Sequence, residues 1–240
     1  MKRPRILTLA LAALLLTILA GCKEAAPDNN ALWKAAMTDA VLSDDEEIRE
    51  LVTLTKEDDR VVWDEAGERV LLLSWHDYDD ACAPGDSIRT EYGDIWATSI
   101  GEMQAWYAQN CDEVEDWELR FAQLLGVHED EGYTRFTAFW VFPEDVIRPA
   151  YVTDVTKQME NDYAVVTDEA YKEWFDSNIL WSYFENDYPW TRLGYTYDWS
   201  GGKSEYGLTE FLVFDGGKTE IAFTCTTAEF VDWLEEHTKT

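Results

Sequence analysis

The sequence predicts an α+β domain with a largely antiparallel sheet and helices packed mainly on one face. Three observations carry that expectation. Short apolar or alternating runs are bounded by turn residues; other segments repeat apolar side chains every three or four residues behind a Ser, Thr or Asp; and the strand-like runs come as hairpins interleaved with the helical ones.

Taken in order, Ser43 and Glu46 match a capping box ahead of Ile48, Leu51 and Val52, which predicts a short helix. Arg60 to Trp63, the turn Asp64-Glu65-Ala66-Gly67 and Arg69 to Trp75 read as strand, turn, strand. Val70 to Trp75 is apolar on both faces, so it belongs in the middle of its sheet. Residues 76 to 94, dense in Asp, Pro and Gly, read as a loop before a strand at Asp94 to Thr98. Ser99 and Glu102 form a second capping box for a helix carrying Met103, Trp106 and Tyr107. Trp117, Phe121, Leu124 and Leu125 share one helical face, and Gly126 stands where that helix should stop.

Tyr133 to Phe142 is aromatic and β-branched and ends at Pro143, as a strand would, and Pro143 opens a single helical turn. Asp168 caps a helix bearing Tyr171, Trp174, Phe175, Ile179 and Tyr183. From Arg192, alternation places Leu193, Tyr195, Tyr197 and Trp199 on one side of a strand. Leu208 to Phe214, the turn Asp215-Gly216-Gly217-Lys218 and Thr219 to Cys225 read as a hairpin. Thr226 and Glu229 make a third capping box before Phe230, Trp233, Leu234 and His237. Residues 149 to 167 carry no clear signal, and a division into two subdomains near 143–168 stays open beside a single domain over 32–240.

The N-terminus addresses the chain. Lys2, Arg3 and Arg5 precede an apolar run from Ile6 to Ala20, the pattern of a secretory signal; at 15 residues the run is too short to span a bilayer, which takes roughly 20. It ends in Leu19-Ala20-Gly21-Cys22, which resembles the lipobox of bacterial lipoproteins. The resemblance covers residues 1 to 22 and implies cleavage before Cys22 and acylation of its sulfur and amine. It also implies membrane partnership through the acyl chains, with residues 22–31 as a lipidated tether. Lys23 in place of an acidic residue resembles the class sorted to the outer membrane, facing the periplasm.

Loss of residues 1 to 21 removes three of the 19 basic side chains and none of the 49 acidic ones, moving the formal charge from −30 to −33. A field of that sign repels nucleic acid and anionic headgroups and suits a basic protein or a cation. The 34 aromatic residues supply the apolar area that disordered acidic chains lack, so the chain folds. In an oxidising compartment Cys82 and Cys111, both in turn-like surroundings, are the expected disulfide, and Cys225 reads as a buried thiol.

Chemistry-bearing motifs are sparse: there is no phosphate-cradling glycine loop, zinc spacing or nucleophile elbow. His76 beside Asp77 could act as a base with its orienting carboxylate. Asp77, Asp79, Asp80 and Asp86 could offer oxygen to Ca²⁺, the one cofactor suggested, though their spacing departs from an EF-hand loop. The block Tyr188, Trp190, Arg192, Tyr195, Tyr197, Asp198 and Trp199 has the rings and polar groups of a glycan or peptide groove, or else forms the inner face of the sheet. Together these favour an envelope lipoprotein with a non-catalytic ligand- or protein-binding domain. The alternative is an envelope hydrolase of glycans or peptides working through a carboxylate pair or His76 and Asp77.

Overall fold

The structure is a computed structural model that describes residues 28–78, 83–88, 93–112, 114–214 and 216–238. The lipobox, Cys22, most of the tether, Asp79, Asp80 and Cys82 lie outside the described residues. Among those described are five α-helices: α1 (Asn29–Asp39), α2 (Ile100–Asn110), α3 (Trp117–Leu124), α4 (Glu169–Leu180) and α5 (Thr227–His237). One six-stranded sheet accompanies them, formed by β1 (Val70–His76), β2 (Ile95–Ser99), β3 (Arg135–Val141), β4 (Tyr195–Tyr197), β5 (Tyr206–Val213) and β6 (Thr219–Thr226). Its order is β4-β5-β2-β1-β3-β6 and every pairing is antiparallel, the α+β architecture expected.

β1 is central because both of its faces are apolar. Leu71, Leu73 and Trp75 enter one core with Ile100 and Met103 of α2, Phe121 of α3 and Phe230 of α5. Val70 and Leu72 enter another with Phe139, Phe211 and Val213, and this second core is closed by Val52, Leu54, Val146 and Val155 from irregular chain. A third cluster gathers Phe175 of α4, Tyr183, Trp190, Leu193 and Tyr195. The ladder from β1 to β3 runs over seven pairs, Val70↔Val141 to His76↔Arg135. That from β1 to β2 holds two pairs only, Leu72↔Ser99 and Leu73↔Thr98, so the two strands part beyond them and the sheet forks.

Several local expectations give way to tertiary partners. At 43–52 the N-cap is Asp44 with Glu47 reciprocating, and a single turn of 3₁₀ helix follows instead of a helix. Leu51 and Val52 lie in irregular chain, their backbone amides finding partners elsewhere: Leu51 N donates to Gln158 Oε1 at 2.9 Å and Val52 N to Thr209 Oγ1 at 2.9 Å. The strand at 60–63 shrinks to one bridge between Trp63 and Val70. The Ser99 and Glu102 capping box does not form: Ser99 Oγ donates to Arg60 O at 2.6 Å and Glu102 turns into the interior. Gly101 permits this, since a Cβ there would run into the Arg60 carbonyl. The caps at Asp168 and at Thr226 with Glu229 are made as the sequence predicts.

β5 and β6 do not form the expected hairpin. They occupy the second and sixth places in the sheet, joined by the short link 214–218. Such a link spans at most about 20 Å, which four interstrand steps of about 4.8 Å already use up. Because the alternating order gives β5 and β6 the same sense, a flat sheet would also require the link to travel the length of a strand. The sheet therefore curls around the second core, to which β5 contributes Val213 and β3 contributes Val141. Helix α1, N-capped by Asp28, begins within the stretch read as tether and packs Trp33 and Ala36 onto the first core. The alternating run from Leu193 to Trp199 is divided as well: Leu193 and Tyr195 enter the third cluster and Trp199 the first.

Candidate functional site

The fork between β1 and β2 opens a cavity of about 900 Å³. Leu73 to His76 line it from one strand and Ile95 to Thr98 from the other. Tyr133, Leu125, Gly126 and Val127 add a wall, and Trp181, Ser182 and the run Tyr188 to Trp190 close it from the end of α4. Four tryptophans (Trp75, Trp96, Trp181 and Trp190) face it together with Tyr188, Tyr195 and Tyr197. The charged side chains on its described walls are carboxylates: Asp86, Asp94 and Glu210.

The wall from 181 to 194 is unusual backbone. A π-helical turn, Trp181–Glu185, continues α4, and Asp187 and Arg192 hold φ of 56° and 60° without being glycine. Turns and left-handed residues of this kind carry strain and cluster at working sites. Here they aim Trp181, stacked on Tyr188 with ring centroids 5.3 Å apart, at the cavity. At the same turn Leu180 and Phe184 are 58% and 76% exposed.

Glu210 is the outstanding group. It sits mid-strand on β5 opposite Thr98 of β2, and its side chain lines the cavity. Oε2 is shut off from solvent and has no hydrogen-bond partner. Burial alone pushes its carboxyl up to about 8, so near neutral pH it keeps its proton. Nearby donors are committed elsewhere. The Tyr171 hydroxyl donates to Ala150 O at 2.8 Å, Tyr183 to the Trp190 and Ala40 carbonyls, Trp190 Nε1 to Pro149 O at 3.0 Å and Trp174 Nε1 to Asp94 Oδ2 at 3.3 Å. In the sequence Glu210 is one position in a strand pattern. The signal available was an acid set among Leu208, Phe211, Leu212 and Val213, where a carboxylate has no solvated face to occupy.

Of the aromatic block, Tyr188, Trp190, Tyr195 and Tyr197 line the cavity. The other three members stand outside its walls. Trp199 lies in the first core, its Nε1 donating to Val127 O at 2.9 Å. Asp198 takes a forked pair of bonds from Arg120 at 2.6 and 3.2 Å. Arg192 caps the chain after α1 through Val41 O at 2.8 Å. Gly194, with φ of 82°, lets Arg148, Leu51 and Met159 pack where a Cβ would stand.

His76 reaches the cavity, but Asp77 does not orient it. Nδ1 accepts from Tyr78 N at 3.1 Å, which leaves Nε2 carrying the hydrogen toward Thr137 Oγ1 at 2.8 Å. Burial lowers its proton affinity, so the ring is neutral with both nitrogens engaged, and Asp77 is exposed. Of the candidate Ca²⁺ ligands, Asp77 and Asp86 are exposed, and no group of three or more metal-ligating side chains exists among the described residues. Cys111 and Cys225 are free, half-buried thiols; with Cys82 outside the described residues, the expected cystine has no counterpart there. Compared with known proteins, the chain matches no family model, no curated protein and no solved structure.

Proposed function

We propose that this chain is a lipid-anchored protein of the bacterial envelope, held there by an acylated Cys22, whose folded domain binds a small organic ligand in the sheet-fork cavity without altering it. The observation that carries the reading is the cavity itself. Its 900 Å³ lies within the roughly 300–1,000 Å³ of small-molecule sites, and its walls are aromatic with a few polar groups, as such sites are. A fork in a sheet is a costly place to leave open, because the strand edges there give up ladder hydrogen bonds. An occupant that covers the rings offsets that cost.

Titration with the neutral dye N-phenyl-1-naphthylamine tests this. Saturable binding at one site is expected from the wild type, with loss in Thr98→Phe and Ser74→Phe, two variants that fill the fork from opposite strands. A wild type that does not saturate, or folded variants that bind the dye as well as it does, would overturn the proposal.

A hydrolase draws support from one observation, the proton that Glu210 holds to about 8, since a general acid needs it. Its partners are less apt: His76 has both nitrogens engaged and Asp94 already accepts from Trp174. Turnover of chromogenic glycosides or esters that is lost in Glu210→Gln would move the assignment from binding to catalysis.

A further inference from the structure

Resting on the binding reading, we propose that the ligand is an organic cation, an amine or quaternary ammonium on an apolar body, whose charge settles against the Glu210 carboxylate. The argument begins with the missing partner. Oε2 of Glu210 is buried and unpaired, and the two phenols that feel its charge, Tyr171 and Tyr183, donate to main-chain carbonyls instead. Natural proteins seldom leave such an atom unsatisfied, because the loss is not recovered anywhere else in the fold. Oε2 itself is closed to solvent, but the side chain as a whole is only partly buried and lines the cavity, so a partner for the carboxyl enters from there.

The chemistry of the walls then selects among entrants. An anion would meet Asp86 and Asp94 as well as Glu210. A neutral ligand with one hydroxyl could satisfy the carboxyl, but it would gain little from the tryptophan faces. A cation gains from both, since indole faces attract positive charge and Trp96 and Trp190 line the same cavity as Glu210. The acidic field of the whole domain concentrates cations around the opening in the same sense. The apolar body has the rest of the fork, including Trp75 and Trp181, to cover it.

Three probes with one body and different heads decide it: 2-phenylethylamine, 2-phenylethanol and 3-phenylpropanoate, titrated calorimetrically into the folded protein near neutral pH. The amine is expected to bind at least about tenfold more tightly than the alcohol, with the carboxylate weakest. In Glu210→Gln that preference should collapse toward about one, the charge partner being gone. A second measurement on the wild type alone guards against a variant that fails to fold. Because Glu210 must ionise to meet the ammonium, amine binding should release close to one proton, read from the dependence of the heat on the buffer's ionisation enthalpy. Asp94, Tyr171 and Tyr183 are the other titratable groups around it; the phenols stay neutral in this range, burial raising both. Equal binding of alcohol and amine, a preference that survives in Glu210→Gln, or binding without proton release each overturns the cation. Dye binding that persists while head-group preference is absent would separate this failure from that of the cavity reading.

Discussion

Thr98 on β2 and Glu210 on β5 are register partners, one ladder away from the point where β1 and β2 separate. A mid-strand carboxyl thus reaches the cavity from a paired, rigid strand, and the position is fixed by the β2–β5 ladder from Ile95↔Val213 to Thr98↔Glu210. A group held this way reports on its surroundings through its titration. Burial raises its proton affinity from an ordinary 4.5 to about 8. Between those values the unfolded chain carries the ionised form while the folded chain keeps the proton, so stability falls as pH rises through that window and levels off above it. Glu210→Gln removes the effect. Its stability advantage over the wild type should widen by about 2 kcal/mol from pH 4.5 to 8, a figure discounted from the full shift because the side chain is partly open to the cavity. Urea melts across that range check it, and parallel curves for the two proteins would contradict it.

A second interior acid, Glu102, is satisfied, and it should behave in the opposite way to mutation. Glu102 accepts from Tyr206 Oη at 2.7 Å, from Thr209 N at 2.7 Å and from Thr209 Oγ1 at 3.1 Å, tying α2 to the outer half of β5. Glu102→Ala strands a backbone amide and a phenol in the interior and should cost about 3 kcal/mol, while Glu102→Gln retains an acceptor and should cost less than half of that. Thermal and urea melts of the pair are the measurement. Equal losses would mean that packing, not hydrogen bonding, sets the value of this residue.

What the sequence made legible and what it hid both follow from where each residue's partner lies. Caps whose partners are three residues away, Asp168 with Tyr171 N and Thr226 with Glu229, were readable because the whole interaction is local. Ser99 and Glu102 have the same spacing, yet Arg60 O takes the hydroxyl and Thr209 and Tyr206 take the carboxylate, partners far along the chain that no window could include. The glycine turn at 215–218 marked where one strand ends and the next begins, but a turn does not say which strands pair, and β6 found β3. The aromatic block was half legible for the same reason. Arg192 and Gly194, both with positive φ, and the register shift between Tyr195 and Tyr197 break the alternation that would have put Leu193 and the three rings on one face. Glu210 was the hardest to see, since its meaning depends on a fork between β1 and β2 and on a β5 that pairs with β2 from more than a hundred residues away in sequence.

Arg148 offers a sharper test of the irregular half of the fold. Its guanidinium is wholly buried and donates to the carbonyls of Val52 at 3.0 Å, Asp154 at 3.0 Å and Lys157 at 2.7 Å, joining two loops that close the second core. Burial lowers its proton affinity to about 10, still high enough to keep the charge. Replacing a buried ion pair by an apolar side chain is often harmless, but here the partners are main-chain oxygens that remain behind. Arg148→Met should therefore cost about 2–4 kcal/mol. Arg148→Lys should recover little, because one ammonium cannot serve acceptors spread around a planar fork. Chemical denaturation of both variants checks this, and a Lys variant as stable as the wild type would refute the fork argument.

The anchor proposed at Cys22 can be separated from every other way of holding this domain at a membrane. Among the described residues no helix is long and apolar enough to cross a bilayer, and the strongly acidic domain is repelled by anionic headgroups, so neither a span there nor surface charge would retain it. Acyl chains would: each buried CH₂ contributes about 0.8 kcal/mol, and two or more chains together hold where one lets go. The wild type, expressed in a bacterium supplied with labelled palmitate, should take up label, enter the detergent phase on phase separation and resist extraction by salt and alkaline carbonate. Cys22→Ser should be unlabelled and partition to water. Because the cavity lies in the folded domain beyond the tether, the same variant should still bind N-phenyl-1-naphthylamine. Release of the wild type by carbonate would remove the anchor while leaving the ligand site untouched.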